Sequence, residues 1–488
     1  MAPAASSSPP PSSLPFSTPS SVLIVGSGVF GLSTALALTH RDAFAHCSIT
    51  VVDRSDLASQ SGTFPSPDAS SIDASRVIRA DYADPDYVAL GDEAQVHWRK
   101  QDHPTDLGAQ GRYHETGVIL VGHEARTAPA AAPPADGGLE PKPMTGMDYV
   151  RLSWANVLSR AAKDPELAAR VRELPDAEAI RDALGTGGSP GTWGYINHTS
   201  GWANAAASMA WLLDRVQQTG RVSFTAGTVV SLEHDETSVT GAKLSDGRVL
   251  SADLVVVAAG AWTAGLVDMG GQGGASGQVM AYLDLTQAEQ DKLANIPTFL
   301  NLSSGHFIIP PTDRVLKVAR HAYGYRNPTT PANPPLPLNP ATAPPATVSV
   351  PRTFLTDPSL AIPPDAELDL RHALGELIPW LSLHDRPFSK TRMCWYLDTA
   401  TGDFLIDHHP YWRGLFVATG DSGHAFKFLP ILGEKVVDCI VGDCPAEFRG
   451  KWDWTTVTTD GSGWDVYTDD GSREHSTPGL RLANVLAE

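Results

Sequence analysis

Cysteine is scarce in this sequence: the 488 residues include four, Cys47, Cys394, Cys439 and Cys444. They form no CxxC pair and no zinc-ligand spacing, so neither a disulfide framework nor a zinc module organises the fold, and a reducing compartment fits. Basic residues are also few, with 36 Lys and Arg against 55 Asp and Glu, a formal net charge of -19. A surface of that sign repels phosphate backbones and anionic lipid, which argues against nucleic acid and membrane partners. The histidines, including the His408-His409 pair, lack partners at metal-ligand spacing, so no metal site is expected. One apolar, uncharged stretch covers 22–38, but Gly26, Gly28 and Gly31 interrupt it. It reads as a strand, a turn and a buried helix, not as a membrane span. Residues 1–20 are Pro, Ser and Ala-rich with no Lys or Arg, unlike a secretory or transit peptide, and a disordered tail is expected there. No peroxisomal tripeptide ends the chain, so the cytoplasm is the default expectation.

What is present is enough for a large core: 42% of residues are hydrophobic, and the length exceeds what one core usually serves. A βαβ unit opens the folded region, with a strand over 22–25, a helix over 29–38 and a strand over 48–52 ending at Asp53. A loop follows over 63–84, then a helix over 86–100 and a Gly- and Pro-rich excursion over 137–147. Residues 203–218, with Trp211, Leu212 and Val216 on the apolar face, predict an amphipathic helix. Strands follow over 222–225 and 228–232, then a hairpin about Asp246-Gly247. The apolar run 254–258, ending at Gly260, has the form of a buried parallel strand, as does 414–419. Proline is dense over 328–364 and forbids a long helix or central strand; a loop over a site is favoured there against a disordered insertion. Residues 446–488 form a C-terminal extension.

The first chemical signal is Gly26-x-Gly28-x-x-Gly31 between strand and helix, with Asp53 twenty-two residues beyond Gly31. Gly26 permits the turn, Gly28 lets backbone approach a pyrophosphate, Gly31 lets helix and strand pack closely, and Asp53 can hold ribose hydroxyls. The pattern indicates a dinucleotide without choosing between NAD and FAD. The run 254–262, Leu-Val-Val-Val-Ala-Ala-Gly-Ala-Trp, resembles the second dinucleotide-contacting strand of two-domain flavoproteins, which would bring Gly260 to the cofactor and Val230 beside its adenine.

Five further segments carry a more specific likeness: Ser-Ile-Asp-Ala-Ser-Arg-Val-Ile-Arg at 71–79, Gly-Tyr-Ile-Asn-His-Thr-Ser-Gly-Trp at 194–202, Met-Cys-Trp-Tyr at 393–396, Gly-Asp-Phe-Leu-Ile-Asp at 402–407 and Gly-Asp-Ser-Gly-His-Ala-Phe-Lys-Phe at 420–428. With them the chain, from about 21 to 443, resembles the monomeric sarcosine oxidase family and its fungal amadoriase (fructosyl amino acid oxidase) and saccharopine oxidase branch. The resemblance implies a two-domain α/β flavoprotein of glutathione-reductase-like or D-amino-acid-oxidase-like architecture. A Rossmann-type FAD domain would comprise 21–100, 195–265 and 390–445, and a mixed-sheet substrate domain 101–194 and 266–389.

By the same resemblance, Cys394 is the residue bonded through sulfur to the flavin 8α methyl. Lys317 faces the flavin's hydride-accepting nitrogen, where a fixed cation would favour the first electron transfer to oxygen. His321 matches an active-site histidine, and Arg79 and Lys427 match positions that bind the substrate carboxylate. Arg54, Ser75, Arg76, Gly423 and His424 match cofactor-contacting positions. Two departures stand out: Ala425 replaces a glycine near the expected flavin edge, and His306 stands where sarcosine oxidases place a tyrosine over the substrate.

The activity implied is oxidation of a secondary amine or N-substituted amino acid, giving an imine and hydrogen peroxide, by a monomer using molecular oxygen. The 66–71 loop, Ser-Pro-Asp-Ala-Ser-Ser, favours saccharopine- or pipecolate-like substrates over fructosyl amines, with N-methylated amino acids equally reasonable. The alternatives are a deglycating fructosyl amino acid oxidase, an FAD dehydrogenase serving a protein or quinone, a nicotinamide-dependent reductase, and a cofactor-binding protein without turnover.

Overall fold

A computed structural model describes residues 17–57, 64–123, 144–455, 465–473 and 477–486. The tail expected over 1–20 lies almost wholly outside the described residues, as does most of the excursion over 137–147.

Six strands form the first sheet, in the order Leu405–His408, Leu415–Thr419, Leu254–Val257, Ser21–Val25, Ser48–Asp53 and Val222–Ala226. All neighbours are parallel except the Leu405–His408 edge. Continuous apolar runs suit strands covered on both faces. Helices Val29–His40 and Leu429–Ile440 share one core with Val22, Ile24, Val256 and Phe416. They meet at Gly433, where a Cβ would stand 2.0 Å from the Ser33 carbonyl oxygen, so only glycine lets the backbones come so near. The other face, through Leu23, Val25, Val255 and Val257, packs on a meander of Val229–His234, Val239–Leu244 and Val249–Ser251. The expected hairpin about Asp246-Gly247 is therefore present, and the strand expected over 228–232 runs one residue later at its start.

Helices expected over 86–100 and 203–218 occupy Pro85–Arg99 and Ala205–Gln218. Each begins where a side chain satisfies a free amide: the Asp86 backbone N–H donates to Asp84, and that of Ala207 to Asn204.

The second sheet has eight strands, in the order Lys390–Thr399, Gly273–Asp284, Val315–Arg320, His306–Thr312, Thr298–Asn301, Val118–Gly122, Trp193–Asn197 and Val171–Leu174. It is antiparallel apart from the parallel pair Thr298–Asn301 and Val118–Gly122. Helix Pro364–Leu377 covers one face, packing Ala366, Leu370 and Leu374 in a core shared with Ile308, Leu316 and Val318. Two segments grouped on sequence with the dinucleotide-binding part, 195–197 and Lys390–Thr399, hydrogen-bond into this sheet. Local pattern identifies a strand; which sheet it joins is decided by partners distant in sequence.

The proline-dense stretch is a loop that pairs Pro328–Thr329 with Val348–Ser349 and bridges Leu336 to Val267. Trp412 Nε1 donates to the Pro337 carbonyl at 2.7 Å, and Trp395 Nε1 to the Arg352 carbonyl at 2.9 Å. These indole bonds tie the loop to both sheets. None of its residues lines the large cavity described below.

Candidate active site

The glycine turn closes the first strand. Gly26 has φ +107°, a conformation that side chains disfavour, and a Cβ there would stand 2.5 Å from the Ala258 oxygen. A Cβ on Gly31 would stand 1.9 Å from the Gly26 oxygen, so helix and turn touch through bare backbone. Gly28 and Gly260 differ: nothing lies within 4 Å of a Cβ built on either, and Gly260 has φ +54°. Their strands are parallel neighbours in register at Val25 and Val257, so two open glycine turns adjoin at the same sheet end. Ser48–Asp53 pairs on one side of the first strand and Leu254–Val257 on the other, the switch point where open α/β sheets take ligands. Asp53 Oδ2 accepts from the Ser27 N–H at 2.9 Å and Oδ1 from that of Ser55 at 2.8 Å. Arg54 donates to Asp68 at 2.6 Å and lies 4.3 Å above the Trp262 ring. Val230 sits on Val229–His234, half-buried. Open glycine backbone at Gly26, Gly28, Gly31 and Gly260, with Asp53 at the next strand's end, has the form that a dinucleotide's pyrophosphate and ribose would fit.

Beyond this cradle lies a cavity of about 500 Å³, whose lining includes Arg76, Arg79, Lys317, His321, Gly423, His424 and Lys427. Seven positions from distant segments thus converge. Arg79 follows the strand Arg76–Ile78, and Lys427 lies in the short helical turn Ala425–Phe428. Both side chains are buried, at 7% and 6% exposure. Arg79 bonds Tyr149 and lies 4.7 Å above the Tyr82 ring, yet its Nη1 has no partner. Asp81, the nearby acid in sequence, is occupied by Asn197 at 2.9 Å and Ser200 at 2.7 Å. Lys427 Nζ donates to the His424 carbonyl at 2.8 Å and sits 5.2 Å from the Tyr82 ring. Among the described residues neither cation forms an ion pair. Burial, and then the charge of Arg79, push the Lys427 ammonium well below the usual lysine range. Two desolvated cations facing one cavity are costly unless an anion joins them.

The neighbouring imidazoles add no charge. Burial holds His321 and His424 well below the ordinary histidine range. His424 Nε2 lies 2.8 Å from the Gly402 carbonyl and must donate, which leaves Nδ1 to accept from the Tyr82 hydroxyl at 3.0 Å. The loop before it has positive φ at Gly420, Ser422 and Gly423, and a Cβ on Gly423 would press within 2.6 Å of the Tyr396 ring.

Lys317 is placed differently. Its Nζ donates to Asp73 at 2.9 Å and to the Ser75 carbonyl at 2.6 Å, and Arg76 reaches the same Asp73 oxygen at 2.6 Å. Burial lowers Lys317 to about 8, with Asp73 opposing the fall. Arg76 also bonds the Ser70 carbonyl and comes within 3.6 Å of Cys394 Sγ. Cys394 is fully buried on Lys390–Thr399, opposite Gln278.

One sequence expectation changes. His306 does not reach the cavity: alternation turns Phe307 and Ile309 toward it and His306 toward helix Pro364–Leu377, where Nε2 meets Asp369 at 3.0 Å. The Ala425 methyl belongs to the core around Phe404, Phe426 and Phe428 and does not enter the cavity lining. The 66–71 loop stands apart from the cavity lining as well; Asp68 serves Arg54 and Thr353, and Ser70 serves Arg76.

Sequence reading missed Asp73, Tyr82, Tyr149, Phe307 and the far segment Thr468, Asp470 and Ser472, all at the site. Asp73 stood inside a quoted motif, and its spacing of three from Arg76 was a usable signal. Nothing local marked the C-terminal residues, which the extension brings back to the cavity.

The family profile described as FAD dependent oxidoreductase matches residues 21–439. The chain is 33% identical over 465 residues to the amino acid oxidase imqH of Aspergillus flavus, covering 87% of this chain and 93% of that protein. It is 28% identical to the L-saccharopine oxidase of Schizosaccharomyces pombe, over 89% of this chain and 92% of that protein. Among solved structures it is similar to the fructosyl peptide oxidase from E. terrenum, at TM-score 0.76 and 26% identity over 96% and 97% of the two chains. With a glycine cradle at the switch point and a match spanning nearly the whole of both sheets, the chain belongs to the FAD-dependent oxidoreductase family.

Proposed function

We propose that this protein is an FAD-dependent oxidase of secondary amines or N-substituted amino acids, forming an imine and hydrogen peroxide. One observation carries the reading: Arg79 and Lys427 are buried beside one cavity and, among the described residues, form no ion pair with a carboxylate. Oxidases of amino acids among the relatives support it.

FAD, when bound, supplies two-electron acceptor chemistry. Arg79 and Lys427 bind the substrate carboxylate, which fixes the adjoining C–N bond relative to the cradle. Tyr82, Tyr149, Met280, Phe307 and Phe426 line the cavity and keep water from the reacting carbon. Neutral His321 and His424 leave the amine free of further positive charge, so it can lose hydride equivalents as the neutral base. Lys317 holds a cation where oxygen gains its first electron. The imine leaves for water and hydrolyses, unless the substrate itself traps it. Cys394, fully buried and within 3.6 Å of Arg76, would hold the flavin through its sulfur when the cofactor is bound.

The cavity also selects among substrates. Besides the cations already named, its lining includes Asp84, Asp86, Asp403 and Asp470, and Lys451 held by Asp84 and Asp86 at 2.5 and 2.6 Å. Carboxylates there repel a second acidic group, while the apolar wall accepts a hydrocarbon or aromatic ring. An N-alkyl amino acid with an apolar or aromatic side chain therefore fits better than saccharopine. Anaerobic bleaching of flavin absorbance near about 450 nm, across N-methyl aromatic amino acids, pipecolate, sarcosine, saccharopine and fructosyl amines, tests this. Bleaching by the first group at the lowest concentration is expected. Preferential bleaching by saccharopine or a fructosyl amine would overturn the selectivity, and none by any amine would overturn the function.

A further inference from the structure

Asp73 is a buried charge beside the cavity that the roles given above do not use. It is 5% exposed, and its partners come from its own segment and from the neighbouring strands Gly273–Asp284 and Val315–Arg320. Oδ2 accepts from Lys317 at 2.9 Å and from Arg76 at 2.6 Å. Oδ1 accepts from the Tyr282 hydroxyl at 3.0 Å and from the Ala74 N–H at 2.9 Å. Four donors fill its lone pairs, so the carboxylate has one orientation available.

That orientation determines what Lys317 can do. An ammonium has three N–H donors. Two are occupied, one by Asp73 and one by the Ser75 carbonyl, leaving a single donor for the cavity that Lys317 lines. A lysine on a flexible four-carbon stem is thereby made directional. We propose that Asp73 is a positioning residue for the reaction with oxygen: it fixes the Lys317 ammonium toward the cavity and keeps it protonated although it is shut off from water. The proposal rests on the oxidase reading given above.

The charges around this pair come from every strand packed on it. Arg76 and Ser75 share the segment of Asp73, Tyr282 comes from Gly273–Asp284, and Arg392 and Cys394 come from Lys390–Thr399. Asp73 is the carboxylate in the group, facing Lys317, Arg76 and Arg392, and those cations hold it far below the ordinary carboxylate range. Arg76 and burial both lower Lys317, and Asp73 is the largest influence in the other direction. Removing the Asp73 charge leaves Lys317 beside an arginine with nothing to retain its proton. The protonated form then survives only to a lower pH.

Carbon-13 labelling of lysine side chains in the holoenzyme reads the proton directly, with the Lys317 resonance assigned by its loss in Lys317→Met. The native midpoint is expected near about 8. In Asp73→Asn it falls by at least about one pH unit. Reoxidation of the chemically reduced holoenzyme by oxygen should decline as pH rises through the midpoint, and Asp73→Asn should move that limb to lower pH by the same interval. An unchanged midpoint and limb in Asp73→Asn would overturn the proposal. Asp73→Glu retains charge on a longer arm, so the midpoint should return to within about half a unit while the oxygen rate stays at least about threefold low. Asp73→Glu also decides the matter where the asparagine variant does not fold, because native oxygen kinetics in it would contradict positioning. Native reoxidation in Lys317→Met would instead remove the oxygen role of the lysine, and the titration would still report whether Asp73 holds its proton.

Discussion

Two pairs of buried cations face the same cavity and differ in one respect. Lys317 and Arg76 share the carboxylate of Asp73; among the described residues Arg79 and Lys427 share none. A pair that shares a protein carboxylate can be assembled during folding and remain unchanged through turnover. An unneutralised pair carries a desolvation cost that a ligand must offset, so its occupant arrives from outside. The protein thus separates fixed electrostatics from exchangeable electrostatics across one small space.

Breaking the exchangeable pair should have the largest consequence. Arg79→Met or Lys427→Met removes a buried charge-assisted contact with the substrate carboxylate, about 3–5 kcal/mol, and kcat/KM should fall roughly 10³-fold. Simple carboxylates that inhibit the native enzyme should lose their effect in both variants, as measured by competitive inhibition. Lys317→Met, on the fixed side, should slow reoxidation by oxygen about a hundredfold while changing anaerobic reduction by amine much less. The opposite order would exchange the roles of the two pairs.

The next test concerns the cofactor wall. Cys394→Ala should release flavin into the supernatant on acid denaturation, whereas native protein should leave a yellow pellet. A colourless native pellet would remove the tether.

Protonation sharpens the contrast further. Lys427 has its proton affinity lowered by burial and by Arg79. A bound carboxylate favours the charged form, so ligand binding above the free-enzyme pKa must take up a proton, and affinity must weaken as pH rises. Calorimetry in buffers of different ionisation enthalpy should detect that uptake, and Lys427→Met should abolish it. The smallest effect belongs to His306→Ala. With its side chain turned to Asp369, kcat/KM should stay within about threefold of native.

How much of this was legible in sequence depends on whether a residue's role is local. Gly26, Gly28, Gly31 and Asp53 occupy one βαβ unit, and their spacing alone implied the turn that the structure contains. The buried strands Leu254–Val257 and Leu415–Thr419 announced themselves as apolar runs. Gathering Arg79, Lys317, His321 and Lys427 around one cavity was implied by family resemblance, since no periodicity connects positions so far apart. His306 was misplaced because one residue of strand register reverses a side chain's direction. The assignment of Lys390–Thr399 to a sheet, and the return of Thr468, Asp470 and Ser472 to the cavity, depend on long-range packing that leaves no local pattern.

The claim beneath all of this is that the exchangeable cations are completed by a carboxylate of the substrate. Anaerobic flavin reduction by an N-methyl aromatic amino acid should therefore be compared with reduction by the same compound lacking only its carboxylate. The acid should bleach the flavin at concentrations where the decarboxylated amine, equal in ring and nitrogen, leaves it oxidised. Equal bleaching by both would contradict the account.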